Sequence, residues 1–516
     1  MKPHLPLALL KSLRKVAYVT LTLAAATMLH PQAAAEYDSK SYTLSIGSGQ
    51  NAAIRMSSQS GYTTFNGTNS ARYSREGNIQ YHTNGYFRTN YGTSLANKRI
   101  ETITIHGGGA LYLYDGFDND DYYGTINITN AENSKAVIGT FNSNAAELQI
   151  HKLTGSGNVL LRGHNTSSYW GSVSTSSFII TDASEFSGRL FMTANDANVQ
   201  LNAAGEHWNG TVVDFTNAAS NSLIDSTAAD ARGIILNLTN DATFAGLDNG
   251  DSSVAQVKGA NYMLTIGDYT DNTYNYGGTT NLGSLLKIGS NTQQFRQAVN
   301  VDQLIAAEGT LATLGGATAS QAILLTDSRW QVGGNTTIGS LELIEGPASI
   351  TGSGANVVWN APDTITLTDF APTADTPFLY LSNLTLKMGD SLTLNGYNGT
   401  LVEGSVLNFA QLNNATYSGP DSIELYKSGS VLTMDVTTSA DGMLQFTVSD
   451  VQLKADLKVN NMAAVYITND GLTASGKGTF TRTGSYNNYT YTETNKGTFN
   501  NAERGNQGFW QGENGT

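Results

Sequence analysis

Residues 338–343 read Ile338-Gly339-Ser340-Leu341-Glu342-Leu343, and the same beat returns at Ile365-Thr366-Leu367, Leu384-Thr385-Leu386 and Leu392-Thr393-Leu394. Apolar residues alternate with Thr, Glu or Ser, the period-two pattern of a strand with one face buried. Working outward, the pulse appears earlier as Ile100-Glu101-Thr102-Ile103-Thr104-Ile105, Ile126-Asn127-Ile128, Leu148-Gln149-Ile150, Val199-Gln200-Leu201 and Met263-Leu264-Thr265-Ile266. Each pulse is short and bounded by Gly, Asn or Asp, residues that make turns. Residues 291–307 place Phe295, Ala298 and Val299 at helical spacing, but Val299, Val301 and Leu304-Ile305 favour a strand with room for one helical turn.

Many short, evenly spaced strands define an all-β chain. Two architectures accommodate them: a right-handed parallel β-helix, in which coils stack into a solenoid rod, and an antiparallel β-sandwich array. The β-helix is the better fit. Two-residue Asn-Gly hairpin signals between matched strands are sparse. Proline is absent between residues 36 and 346, as expected of central strands that must donate to a ladder on both sides. A coil of about 20–25 residues is expected.

The N-terminus has the organisation of a signal peptide. Lys2, Lys11, Arg14 and Lys15 precede the apolar run 16–29, and Ala33-Ala34-Ala35 supplies small residues at Ala33 and Ala35 for a signal peptidase before Glu36. The four leader charges are all basic. The remainder therefore has 24 of the 28 basic residues against all 42 acidic ones, a net charge of −18. Such a surface repels phosphate backbones, which argues against nucleic acid as a partner. There is no cysteine, so disulfides, thiolate metal sites and cysteine nucleophiles are excluded. No later stretch is apolar enough for a spanning helix, so the mature chain is expected not to cross a membrane by helices. The organisation expected is a signal peptide at 1–35, a Tyr-rich cap with first coils at 36–100 and β-helix repeats at 101–361. Further β-repeats or a second β-domain follow at 362–471, after the prolines at 362, 372 and 377, and a polar, loosely ordered tail occupies 472–516.

Several segments resemble a known repeat. Leu153-Thr154-Gly155-Ser156-Gly157-Asn158-Val159-Leu160-Leu161 gives a Gly-rich turn and a strand, and Phe186-Ser187-Gly188-Arg189-Leu190-Phe191 an aromatic-x-Gly step. Tyr123-Gly124-Thr125-Ile126 and Trp208-Asn209-Gly210-Thr211-Val212 echo that step, and Ala307-Glu308-Gly309-Thr310-Leu311 resembles the closing strand. In these patches, over about residues 100–350, the chain resembles secreted autotransporter passenger proteins with autotransporter-associated β-strand repeats. The resemblance implies a β-helix displayed at the cell surface or released. Members of that family close on a membrane β-barrel, which the sequence up to Thr516 does not contain, so self-translocation is not implied.

Motifs for catalysis fail on their surroundings. Gly389-Asp390-Ser391-Leu392 spells a hydrolase motif, but no histidine follows Ser391 to activate it. Gly471 to Gly478 nearly spells a phosphate loop, yet Gly478 stands where a magnesium-binding hydroxyl belongs. Asp115, Asp118, Asp120 and Asp121 are the candidate metal ligands. Four carboxylates so close suit calcium, though their spacing fits no standard calcium loop. No other cofactor is indicated. The tyrosines from Tyr62 to Tyr123 supply faces that stack on sugars and also make good strand residues.

The expectation is an exported surface or secreted β-solenoid, an adhesin-like interaction or structural module without catalytic activity. Its partners would be glycans or cell-surface proteins. The alternative is a polysaccharide-degrading β-helix enzyme using carboxylates, and the periplasm is the alternative location. Cleavage after Ala35 predicts that exported material begins at or near Glu36, which N-terminal sequencing reads directly. A retained Met1 in soluble extracellular protein would defeat the signal-peptide assignment.

Overall fold

The computed structural model describes residues 42–46, 51–55, 73–75, 78–80, 100–114, 120–129, 135–140, 147–163, 175–194, 198–215, 233–250, 254–354, 356–373, 375–454, 478–486 and 489–497. None of them is helical. Residues 291–307 resolve into the strands Thr292–Phe295 and Val299–Ala306 joined by a bend, with no helical turn.

The strands stack as a parallel β-helix with three faces. Face A carries Thr273–Tyr276, Thr292–Phe295, Thr310–Thr313, Arg329–Val332, Ala348–Gly352, Leu379–Ser382 and Val406–Asn413, each paired in parallel with the next. Faces B and C begin as one bent strand per coil, as in Thr279–Lys287 and Val299–Ala306. Ala317–Leu325 marks the change: its first half pairs with Thr336–Ile338 and its second with Leu341–Ile344. Beyond it, face B continues through Val358–Asn360, Thr385–Lys387 and Thr416–Ser418, and face C through Thr364–Thr368, Ser391–Asn395 and Ser422–Lys427. The same plan runs back towards the N-terminus, where Lys135–Thr140, Asn158–Gly163, Arg189–Ala194, Val212–Asp214 and Gly246–Asp248 form face A as a separate sheet.

Like residues fall above one another. One inward row on face C is Leu264, Leu285, Leu304, Ala322, Leu341 and Ile365, all buried. Each such side chain contributes about 1.5–3 kcal/mol by leaving water, and finds its neighbours only in the coils above and below. The adjacent outward row Leu286, Ile305 and Ile323 is also apolar and buried. Burial on both sides explains why 304–307 and 322–325 read as unbroken apolar runs instead of alternating.

The coils are not of the expected constant length. Gln303 bonds Gln321 on the next coil 18 residues later, whereas Thr385 bonds Thr416 31 residues later. Thr364–Thr368, Leu379–Ser382 and Ser391–Asn395 keep four or five residues here, and the extra length goes into corners, above all 369–378 and 396–405 between faces C and A. Pro372 and Pro377 sit in the first of these, so they lengthen a coil without interrupting the ladder. That corner also brings in Phe378, which packs edge-on against Phe409 with centroids 6.1 Å apart, and Phe409 stacks on Phe446 at 4.7 Å.

The corner between faces A and B is built on glycine. Gly277-Gly278, Gly315-Gly316, Gly333-Gly334 and Gly352 all lie there. A Cβ on Gly352 would stand 2.0 Å from the Asn383 carbonyl oxygen, and one on Gly333 2.4 Å from that of Leu314, so only hydrogen lets adjacent coils close. The aromatic-x-Gly step belongs to the corner between C and A. Phe186, Trp208 and Phe244 are buried, and the Trp208 and Phe244 rings stack 5.6 Å apart. A Cβ on Gly188 would lie 2.0 Å from the Gly157 carbonyl oxygen.

The solenoid ends by changing strand direction. Ser422–Lys427 turns back into Ser430–Thr438, and Met443–Lys454 then pairs antiparallel with both Ser430–Thr438 and Val406–Asn413. This ribbon covers the last edges of faces C and A. Gly478–Tyr486 and Tyr489–Gly497 form a hairpin inside the polar segment 472–516.

One break in the ladder is repaired by a side chain. Gly246–Asp248 meets the next face A strand only at the bridge Asn249↔Tyr276. Gln293, wholly buried, donates from Nε2 to the Leu247 carbonyl at 2.9 Å, and its Oε1 accepts the Leu247 N–H at 2.9 Å. Gln293→Leu orphans both groups and is expected to cost about 2–4 kcal/mol, read from chemical denaturation, with the β spectrum retained.

Candidate functional site

The residues singled out in the sequence are only partly placed. Ala33, Ala35, Asp115 and Asp118 lie outside the described residues. Asp120 and Asp121 open the strand Asp120–Thr129, in register with Leu148 and Gln149, and their side chains lie outside the described set. Among the described residues no three His, Asp or Glu side chains gather as metal ligands. Ser391 opens a face C strand after a turn, and the Asp390 carbonyl accepts the Glu424 N–H at 2.9 Å, a structural use of that motif.

Carboxylates, a guanidinium and an aromatic ring do meet on the outer side of face A. Asp214 and Asp248 are register partners on adjacent strands, hence about 4.8 Å apart along the stack. Arg189 lies between them: Nε is 2.9 Å from Asp214 Oδ2, an ion pair without hydrogen-bond geometry, and Nη2 bonds Asp248 Oδ2. Asn249 Nδ2 donates to Asp214 Oδ1 at 2.9 Å, while the N–H groups of Asn249 and Asn275 both donate to Asp248 Oδ1 at 3.0 Å. Lys135 sits with Nζ 3.7 Å from the Phe191 centroid, and burial lowers its pKa against the opposing pull of Asp214. Each carboxylate oxygen of the pair therefore has a cation or a donor against it. The arrangement is a charge-compensated clamp across coils rather than a free acid facing a free base.

A second polar feature follows the corner between faces A and B. Gly352, Ser353, Gly354, Asn383, Leu384, Thr385, Asn414 and Thr416 line a groove of about 340 Å³ over three coils. Asn383 and Asn414 turn the chain with left-handed φ of 54° and 53°, a conformation Asn tolerates. Asn414 Nδ2 donates to Asn383 Oδ1 at 2.7 Å, and the Thr385 and Thr416 hydroxyls bond at 2.9 Å. In the sequence, Asn383 and Asn414 are indistinguishable from the other Asn and Gly residues that bound each apolar pulse. The available signal was the 31-residue interval that repeats Asn and Thr together.

The core also holds a lysine. Lys287 occupies the inward row between Ile266 and Ala306, fully buried, and Nζ donates to the carbonyls of Ile288, Gly289 and Glu308. Burial pulls its pKa down to about 8, although Asp268 and Glu308 act the other way. His207, packed on Trp208 with centroids 5.2 Å apart, is likewise lowered by burial.

No family model matches the chain, and no curated protein or solved structure is significantly similar to it.

Between about pH 8 and 10.5 the unfolded chain keeps on Lys287 a proton that the folded state releases, so stability should rise with pH across that window. Urea midpoints at about pH 7.5 and about pH 9.5 should show the rise, and Lys287→Met should flatten it.

Proposed function

We propose that this chain is an exported surface or secreted β-solenoid serving as an adhesin-like interaction or structural module without catalytic activity. The observation that carries this reading is the state of the charged cluster on face A. A carboxylate-dependent enzyme needs one acid able to give a proton and one base able to take it. Asp214 and Asp248 are instead bridged by Arg189 and saturated by Asn249 and Asn275. A stack of coils with polar outward rungs suits contact along an extended surface. The leader sequence and the passenger-like repeats support the same assignment and a place at the cell surface or outside it.

The alternative, a polysaccharide-degrading enzyme, rests on the acidic segment Asp115, Asp118, Asp120 and Asp121. Purified full-length exported protein should bind cells or glycans while releasing no reducing ends or unsaturated products from a polysaccharide panel. Turnover that disappears in Asp120→Asn or Asp121→Asn would replace the module with the enzyme. Calcium should leave the melting temperature unchanged. A rise abolished by Asp118→Ala would assign the segment to the metal.

A further inference from the structure

We propose that the groove at the corner between faces A and B binds a neutral linear oligosaccharide lying along the stack of coils. The proposal rests on the interaction-module reading and names its ligand. Its volume of about 340 Å³ falls in the lower part of the ~300–1,000 Å³ range of small-molecule sites. None of the residues lining it is ionisable, in a chain with many acidic residues, so the complementary ligand is neutral.

The lining offers hydroxyls and amides in rungs. Coils repeat every ~4.8 Å, close to the advance of one pyranose in an extended glycan, so successive sugars would meet equivalent groups. The rungs are only partly spent on each other. Asn414 Nδ2 bonds Asn383 Oδ1, and among the described residues this leaves the Asn383 amide nitrogen to donate and Asn414 Oδ1 to accept. Thr385 and Thr416 share one hydrogen bond, and each hydroxyl keeps further capacity. Both asparagines and Thr416 are exposed. Leu384, the one apolar residue of the lining, is 3 % exposed and belongs to the core, so the groove's carbon surface is small patches set among amides and hydroxyls, a mixture that matches the C–H and O–H faces of a sugar.

An aromatic ring stands nearby. Tyr380 is 45 % exposed and points outward from Leu379–Ser382 on the same side as Ser382, which bonds Thr351 beside the groove. Two residues along a strand cover about 7 Å, and the strand belongs to the middle of the three coils, so the ring flanks the groove at mid-length, where it can stack on a sugar lying in it.

Gly354 supplies the test. A Cβ there meets nothing within 4 Å, and its φ is not left-handed, so Gly354→Trp adds an indole at the wall of the groove without straining the coil. Titration calorimetry on the full exported chain would use cellohexaose, maltohexaose and mannohexaose, with a heparin hexasaccharide as charged control. At least one neutral hexasaccharide should bind and the heparin fragment should not. Gly354→Trp should weaken binding about tenfold or more with the melting temperature unchanged. Thr385→Val with Thr416→Val, and Asn414→Gly, which keeps the left-handed turn, should each weaken it severalfold. Failure of all three neutral sugars to bind, or unchanged binding in Gly354→Trp, overturns the groove assignment. If cell adhesion then persists equally in wild type and Gly354→Trp, the module reading stands without the groove. Self-association of the wild type that Gly354→Trp abolishes, without sugar binding, would give the groove to a second copy instead. Cleavage of a hexasaccharide would overturn the module reading itself.

Discussion

The parallel backbone ladder between coils is the constraint on which the rest depends. Each strand donates and accepts on both sides, so every coil fixes the position of the next. Inward side chains must fall in rows because the ladder admits no half-step. Leu264 to Ile365 on face C is one result, and the glycines at the corner between A and B are another, since the corner backbones can approach only without Cβ atoms. Where the ladder fails, beside Leu247, a buried glutamine reproduces a strand's donor and acceptor. At the end it turns antiparallel and covers two of its three edges.

The fold was legible because period-two alternation survives on most faces. Ile365-Thr366-Leu367 and Leu392-Thr393-Leu394 form strands where the pattern places them, with the apolar residues inward. The parallel arrangement was legible through what was missing, proline and hairpin turns. Coil length was not, because it is set in corners that carry no hydrophobic pattern. The helical hint at 291–307 comes from Phe295, Ala298 and Val299, of which Phe295 ends a face A strand, Val299 opens a face B strand and Ala298 lies in the connection between them.

The candidate sites were much less legible. Asp214, Asp248 and Arg189 are separated in sequence by whole coils of different length, and only the register makes them neighbours. Asn383 and Asn414 look like any turn residues until one coil is laid on another. Lys287 reads as a surface residue, yet its row places it between Ile266 and Ala306. Backbone carbonyls at the corner then do what water would otherwise do for its ammonium group.

The corner at 369–378 has a consequence for how such a chain can change. It lies beside the ladder, between the strands Thr364–Thr368 and Leu379–Ser382, whose partners above and below remain in step. Insertions and deletions there alter the circumference of one coil and leave the height of the stack untouched. Length and height are thus separate variables. A lineage could acquire or lose surface epitopes at that position, and an engineer could graft a foreign peptide there, without resetting the register of a single row.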